Sequence, residues 1–543
     1  MTTIPELIHR NAEEFPDKPA LTHDGETLTW RETRLSIARI ALGLSRLGVG
    51  TGDRVAIMMS SRPEHWLTDQ AVAHLGALPA TVYGTMPSSQ VAYVARHSRA
   101  RVAVLEGADE VARWLPVLDA LPDLERVVVL DPAAGVADDE RVVRWSDVVT
   151  DEVDLAAFEA GWRQITADDP VTLIYTSGTT GEPKGVLLTH RNVIANAEAR
   201  DAASPAPAHF RSICYLPLAH IAERMVSVYM VIHKAGWVTF CPDPGRLVEV
   251  LVRTRPTSFF GVPRIWEKLA AALRARPGAS AADVGLDQVQ WACSAAAPLP
   301  VDVQEYFRSL GVSIVEAWGM TEATGVVTST STEDFRVGSV GFPIPGTEIK
   351  LLDDGEVLVR GPIVSIGYLQ GDGSVVPVTD DDGWMHSGDV GRIDDDGHLY
   401  IVDRKKDLII TAGGKNIAPA AVEALLIKHP LVGQALAYGD RRPYVVALVV
   451  LDPVAASGWA SARGIEFESL DELATHPDVI AEIDRAVALA NEDLARVEQV
   501  KRYTLLTSEW TADSGELTAS LKVKRRVVHD MYAAAIEELY ESA

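Results

Sequence analysis

Between the apolar runs Val171–Tyr175 and Val186–Leu188 lies Tyr175-Thr176-Ser177-Gly178-Thr179-Thr180-Gly181-Glu182-Pro183-Lys184-Gly185, and this segment restricts the fold more than any other. Its flanks read as strands, so the pattern is strand, loop, strand. A plain hairpin turn needs one or two glycines, whereas this loop adds Ser/Thr hydroxyls and a lysine. Glycines let backbone N–H groups approach anions, hydroxyls add donors, and Lys184 adds charge. The segment therefore suits a lid over phosphates. It is not the GxxxxGK[ST] loop, which must open directly into a helix.

Around it, helical patterns (Thr33–Leu47, Pro63–Leu75) alternate with short runs at Arg54–Met59, Arg101–Leu105 and Arg126–Leu130. The rhythm resumes at Ser212–Tyr215, Thr257–Gly261 and Gln288–Ala292. This predicts an α/β fold with a largely parallel sheet. From Val337 to Asp403 the texture becomes Gly-rich with short strands, predicting a small antiparallel β subdomain. After Asp403 a smaller α+β unit follows: a helix near Pro419–Lys428, strands near Gln434–Tyr438 and Tyr444–Leu451, and helices near Asp478–Val497 and Val523–Leu539. The expected division is an N-terminal domain over 1–402, a hinge over 403–408, and a C-terminal cap over 409–543. At 543 residues the chain is too long for one core.

A net charge of −26 repels nucleic-acid phosphates and anionic headgroups, which argues against nucleic acid as a partner. It also makes each cation inside a motif more informative. Cys214, Cys241 and Cys293 form no metal-binding or disulfide spacing and fit packed thiols in a reducing compartment, so a cytoplasmic location is expected. The N-terminus lacks the apolar core of a signal peptide. No apolar run approaches the roughly 20 residues that span a bilayer. Peripheral contact with a membrane and the oligomeric state are left open by the sequence.

A second motif, Glu316-Ala317-Trp318-Gly319-Met320-Thr321-Glu322, sets an aromatic ring beside a glycine, as in one wall of a base-stacking slot. Thr321 and Glu322 just beyond can reach a phosphate and its magnesium, a hard cation that prefers oxygen ligands.

With these motifs in this order the chain resembles the adenylate-forming superfamily, which includes acyl-CoA synthetases, firefly luciferase and adenylation domains. The resemblance runs from Thr29-Trp30-Arg31-Glu32 to Lys522. It implies that Thr176, Ser177, Gly178, Thr179, Thr180, Gly181 and Lys184 surround the phosphates. It gives Thr176 and Glu322 to magnesium and Thr321 to the α-phosphate. Ser294, Ala295 and Ala296, with Glu316, Ala317, Trp318 and Gly319, would flank the adenine. Ser387-Gly388-Asp389 resembles the ribose turn, with Arg404 as its partner. Lys406 falls where the family's cap rotates, and Gly413 and Gly414 where the thiol's path opens. Leu517–Arg526 resembles the segment bearing the catalytic lysine, which places Lys522 in that role and Lys524 as the alternative. The family often has glycine just before that lysine, where this chain has Leu521.

The segments Tyr215–Arg224, Phe259–Leu269 and Tyr83-Gly84-Thr85 look like long-chain fatty acyl-CoA synthetases in particular. By that resemblance His220 lies near the reacting carboxylate or thiol, and Trp266 gates the acyl tunnel. The plainer readings are a satisfied core histidine and a packed tryptophan. The expected reaction takes ATP, Mg2+, a fatty acid and coenzyme A to acyl-CoA, AMP and pyrophosphate. A fatty acyl-AMP ligase feeding a carrier protein, or a ligase for a shorter or aromatic acid, would share the adenylation residues. The chain ends soon after Lys522 with no fused carrier domain, which favours a free thiol. A luciferase-type oxygenase fits the motifs less well. A dead nucleotide-binding relative should have lost a key charge, yet Lys184, Glu322, Asp389, Arg404 and Lys522 are all present.

Overall fold

The computed structural model describes residues 2–131, 139–151, 153–176, 182–331 and 334–541. Short Val/Ile/Ala runs without polar breaks can be buried on both faces, which is what a parallel sheet requires. They form the middle of a nine-stranded sheet, in the order Val375–Val376, Gly367–Leu369, Lys184–Thr189, Pro170–Thr176, Leu78–Thr81, Arg54–Met58, Val102–Leu105, Arg126–Val129 and Val142–Arg144. From Pro170–Thr176 to Val142–Arg144 the neighbours are parallel. Ala56, Ile57, Val104 and Leu105 have no exposed surface. The helix Trp30–Arg46 covers part of this sheet's core. It opens on a reciprocal cap in which Thr29 N–H donates to Glu32 Oε2 (2.8 Å) and Glu32 N–H to Thr29 Oγ1 (3.3 Å).

The flanks of the Gly/Thr-rich segment are the antiparallel pair Pro170–Thr176 and Lys184–Thr189, with Thr176 opposite Lys184. The expected small antiparallel sheet exists, ordered Glu348–Leu351, Glu356–Arg360, Met385–Ile393 and Leu399–Arg404. However, Gly367–Leu369 leaves that region and pairs with Lys184–Thr189, placing Tyr368 opposite Val186. A five-stranded sheet runs Ser258–Gly261, Trp291–Ala295, Ile314–Met320, Gly325–Ser329 and Phe342–Pro343, its first three strands parallel. A fourth sheet joins Arg211–Cys214 and Trp237–Phe240 to the N-terminal strands Pro19–His23 and Glu26–Thr29.

The smaller C-terminal unit is built on Val432–Tyr438, Val445–Leu451 and Val500–Leu506. Two expected helices differ in extent. The helix from Pro477 ends at Glu492, because the Asn491 side chain bonds both backbone groups of Val500 (2.8 and 2.9 Å) and turns the chain into a strand. The last helix divides into Arg525–Met531 and Ala533–Glu541 at Tyr532, whose hydroxyl donates to Glu516 (3.4 Å). Asp403 and Arg404 end a strand, and Lys405–Asp407 turn toward the cap. All three cysteines are buried and free. Among the described residues no helix is long and apolar enough to cross a membrane.

Candidate active site

Two adjacent strands of the small antiparallel sheet set Asp389 across from Arg404. The turn before Asp389 needs Gly388 at φ 70°, a left-handed conformation that glycine adopts without strain. Asp389 is 5% exposed, and both its oxygens are engaged: Trp318 Nε1–H donates to one at 2.8 Å, and Arg404 Nε to the other at 2.8 Å. Burial pushes this carboxyl upward, while Arg404 and the indole N–H pull it back. The strand Ile314–Met320 thereby brings a tryptophan, an acid and a guanidinium from three elements to one edge. The neighbouring strand end contributes Ser294, which is buried, Ala295, which is half-buried, and Ala296, which is exposed. Ala296 holds φ 77°, so its backbone follows a path a bulkier residue would resist.

Glu322 sits two residues past the end of the same strand. Tyr368 Oη donates to Glu322 Oε1 at 2.8 Å. The Tyr368 ring lies under the Lys184 ammonium, 4.9 Å from its centroid. One tyrosine therefore joins Lys184 to the candidate magnesium carboxylate. Burial and the Glu322 charge raise its phenol pKa, so it stays a neutral donor. Sequence reasoning missed Tyr368: Gly367-Tyr368-Leu369 has no polar company, and only strand pairing with Gly185–Leu187 places it.

Lys522 comes from the cap. Its turn is closed by Leu521 N–H to Thr518 O (2.8 Å), Thr518 N–H to Lys522 O (2.8 Å) and Lys522 N–H to Thr518 Oγ1 (3.0 Å). Leu521 has φ 62°, the conformation glycine supplies freely, which accounts for the glycine expected there. Lys522 as a residue is exposed, yet the protein around its ammonium lowers its pKa. Arg404 adds to that lowering, while Asp389 and Glu322 oppose it. His220 caps the helix that begins at Ile221 and continues through a π-helical stretch, Met225–Tyr229, to His233, with Nδ1 accepting from Ala222 N–H (3.2 Å). Burial, helped by Lys522, holds its imidazole at about 4. With Nδ1 accepting, the neutral ring carries its proton on Nε2, a free donor direction.

The AMP-binding enzyme family matches residues 8–369, and the AMP-binding enzyme C-terminal domain matches residues 406–543. The chain belongs to the AMP-binding enzymes. The long-chain-fatty-acid–CoA ligase FadD15 of Mycobacterium bovis is 35% identical over 559 residues, covering 94% of this chain and 92% of that protein. The anthranilate CoA ligase AuaEII, solved with anthranoyl-AMP, has a TM-score of 0.77 at 22% identity and covers 98% of each chain. The o-succinylbenzoate CoA synthetase of Bacillus subtilis, solved with ATP and magnesium, has a TM-score of 0.73 at 22% identity, covering 96% of this chain and 98% of that one. These two likenesses show the fold of an AMP-binding enzyme.

Other residues expected in this AMP-binding enzyme's site stand apart from the cluster. Trp266 has no exposed surface; its indole N–H reaches Gly261 O (3.0 Å) and Cys293 O (3.4 Å), with edge contacts to Phe259 and Phe307. It is a core residue in this conformation. Glu316 is buried, accepting from Leu299 N–H (3.3 Å) and Gln304 (3.5 Å), and burial raises its carboxyl. Ala317, next along that strand, pairs with Ala295 on its neighbour. Gly319 is exposed at the strand's end, and Thr321 and Thr176 are half-buried. Lys406 is exposed on the 405–407 turn, and Gly413 and Gly414 are exposed on the turn before the strand Asn416–Ile417. Lys405 is anchored to Asp354 (2.6 Å) and Glu356 (2.8 Å). Ser177, Gly178, Thr179, Thr180 and Gly181 lie outside the described residues.

Proposed function

We propose that this chain activates a long-chain fatty acid on MgATP as its acyl-adenylate and transfers the acyl group to coenzyme A. The observation that carries the reading is the placement of Lys522 within the electrostatic reach of Glu322, Asp389, Arg404 and His220. A carboxylate must approach a polyanionic triphosphate, and a cation between them lowers the barrier by meeting charge as it develops. The name of the FadD15 relative supports the fatty acid and the thiol.

In this reading Asp389 and Arg404 hold the ribose, and Trp318 with Ser294, Ala295 and Ala296 flanks the adenine. Thr321 meets the α-phosphate, and Thr179, Thr180 and Lys184 the outer phosphates. Magnesium fits Glu322 and Thr176: they offer only oxygen donors, and among the described residues no cluster of three His/Cys/Asp/Glu competes as a closed metal cage. A single carboxylate and a hydroxyl suit a cation that takes its other ligands from phosphates and water, and that supplies charge neutralisation.

The fatty carboxylate oxygen attacks the α-phosphorus, the bond to the β-phosphate breaks, and pyrophosphate leaves. Lys522 stabilises the pentavalent arrangement, and the His220 Nε2–H supplies a neutral donor beside it. The cap, 409–543, then turns about Lys406 within the 403–408 hinge, withdrawing Lys522 from the 1–402 domain. Gly413 and Gly414 come to line the thiol's path. The thiolate attacks the acyl carbonyl and AMP leaves. Trp266 lines the acyl path once its indole releases the Gly261 and Cys293 carbonyls.

Two measurements test this. Lys522→Ala should slow pyrophosphate release by about 10²–10³-fold, while supplied acyl-AMP and coenzyme A still give thioester. Equal loss of both halves refutes the lysine's role. ATP-dependent AMP release should rise with acid length when coenzyme A is present. Preference for acetate or aromatic acids refutes the long-chain reading, and accumulation of adenylate without thioester points to a carrier-protein acceptor.

A further inference from the structure

We propose that the Thr85 hydroxyl is a latch that holds the Lys522 turn in the adenylation position and must release before the thiol can react. The inference rests on the two-step reading above and adds a positioning residue to it.

Thr85 Oγ1 donates to the backbone carbonyl of Ala519 at 2.8 Å, across 434 residues of sequence. Ala519 lies three residues before Lys522 and is 5% exposed. It is buried within a core cluster of the large domain that includes Tyr83, Met86 and Ala219. Thr518 beside it is 1% exposed and closes the lysine turn through its backbone and its hydroxyl. The contact thus bears directly on the rigid turn that aims Lys522. Ala219 adjoins His220, so the surface that receives the turn also carries the histidine facing the lysine. Thr85 itself lies on an exposed loop after the strand Leu78–Thr81, beside Gly84, where an added Cβ would meet nothing within 4 Å. It contributes nothing to the core, so the hydroxyl has no evident task except the contact. Any motion that withdraws Lys522 breaks this hydrogen bond, and every return reforms it.

The quantitative consequence is independent of which position the cap prefers. Adenylation scales with the docked fraction and thioester formation with the released fraction, so the ratio of the two rates is proportional to the docking equilibrium constant. One hydrogen bond shifts that constant about two- to tenfold. If the cap is mostly docked, the loss appears as a faster second half. If it is mostly released, the loss appears as a slower first half. The ratio falls by the same factor in either case.

The experiment measures both half-reactions on the full chain: palmitate-dependent ATP–pyrophosphate exchange without coenzyme A, and thioester formation from supplied palmitoyl-AMP with coenzyme A. Thr85→Val should lower the ratio of the first rate to the second about two- to tenfold, and Thr85→Ser should restore it. An unchanged ratio, or both halves falling by one factor, overturns the latch. Lys522→Ala in the same panel separates the two ideas. If it depresses both halves equally, the reading of the lysine fails; if it spares the second half while Thr85→Val leaves the ratio alone, only the latch fails.

Discussion

Arg224 and Asp69 form the most deeply buried ion pair near the site, and replacing Arg224 with methionine should expose how much that pair matters. Arg224 has no exposed surface and Asp69 has 2%. Arg224 Nη2 meets the two Asp69 oxygens at 2.9 and 2.8 Å and also donates to Tyr229 Oη at 3.2 Å, while Nη1 reaches Thr81 Oγ1 at 3.0 Å. Burial works against the guanidinium's charge, but Asp69 and Tyr229 outweigh it and keep Arg224 cationic. Arg224→Met removes that charge and leaves the Asp69 carboxylate buried, with the Gln70 amide as its remaining side-chain donor. Breaking one side of such a pair costs about 3–5 kcal/mol, whereas replacing both sides with apolar groups is often near neutral. The double variant Arg224→Met with Asp69→Leu should therefore return most of the loss. Urea unfolding of the four proteins forms a double-mutant cycle, with midpoint shifts converted through the common slope. The single change should also lower pyrophosphate exchange. Arg224 Nη1 reaches Leu218 O (3.5 Å), two residues before His220, so the loop carrying His220 loosens when the guanidinium is removed. A single variant costing less than about 1 kcal/mol, or two losses that simply add, would refute the reasoning.

Other expectations follow from single features. Tyr368→Phe keeps the ring under Lys184 but removes the donor to Glu322, so the magnesium needed for half-maximal adenylation should rise about tenfold; a magnesium titration that overlays the wild type would contradict that. His65 and His74, held at about 4, and His190, held at about 3, are buried neutral, chiefly by desolvation. Their contribution to stability is complete above the unfolded value near 6.5 and is lost as pH falls toward 4 and 3. Unfolding free energy should drop by about 1.4 kcal/mol per pH unit for each histidine in that window, and proton uptake on unfolding at pH 5 measures it. Leu521→Gly should leave stability within about 1 kcal/mol, because relief of the left-handed conformation offsets the extra freedom of the unfolded chain. Leu521→Val, branched at Cβ, should destabilise the cap, and thermal unfolding of the pair distinguishes them.

The sequence alone determined the layered α/β fold, because uninterrupted apolar runs separated by helical periodicity have few other ways to hide both faces. It also marked candidate residues, since Lys184, Glu322, Asp389, Arg404 and Lys522 each lie in a local pattern whose residue types suit an anion, a hard cation or a ribose. Helix ends were less legible: Asn491 stops one helix through a bond to Val500 that depends on where the next strand passes. Tertiary structure alone decided which side chains meet. Glu316, expected beside a nucleotide, is buried and accepts from the Leu299 N–H, a partner that only the fold brings to it. Trp266 became core because the absence of a side chain at Gly261 leaves room for its indole, where an added Cβ would stand 2.8 Å from Nε1. Tyr368 meets Lys184 and Glu322 through a strand crossing, and Thr85 meets the Ala519 carbonyl, contacts made across long stretches of chain. Local patterns record what a residue can do; its partner depends on pairing and packing that no window of sequence contains.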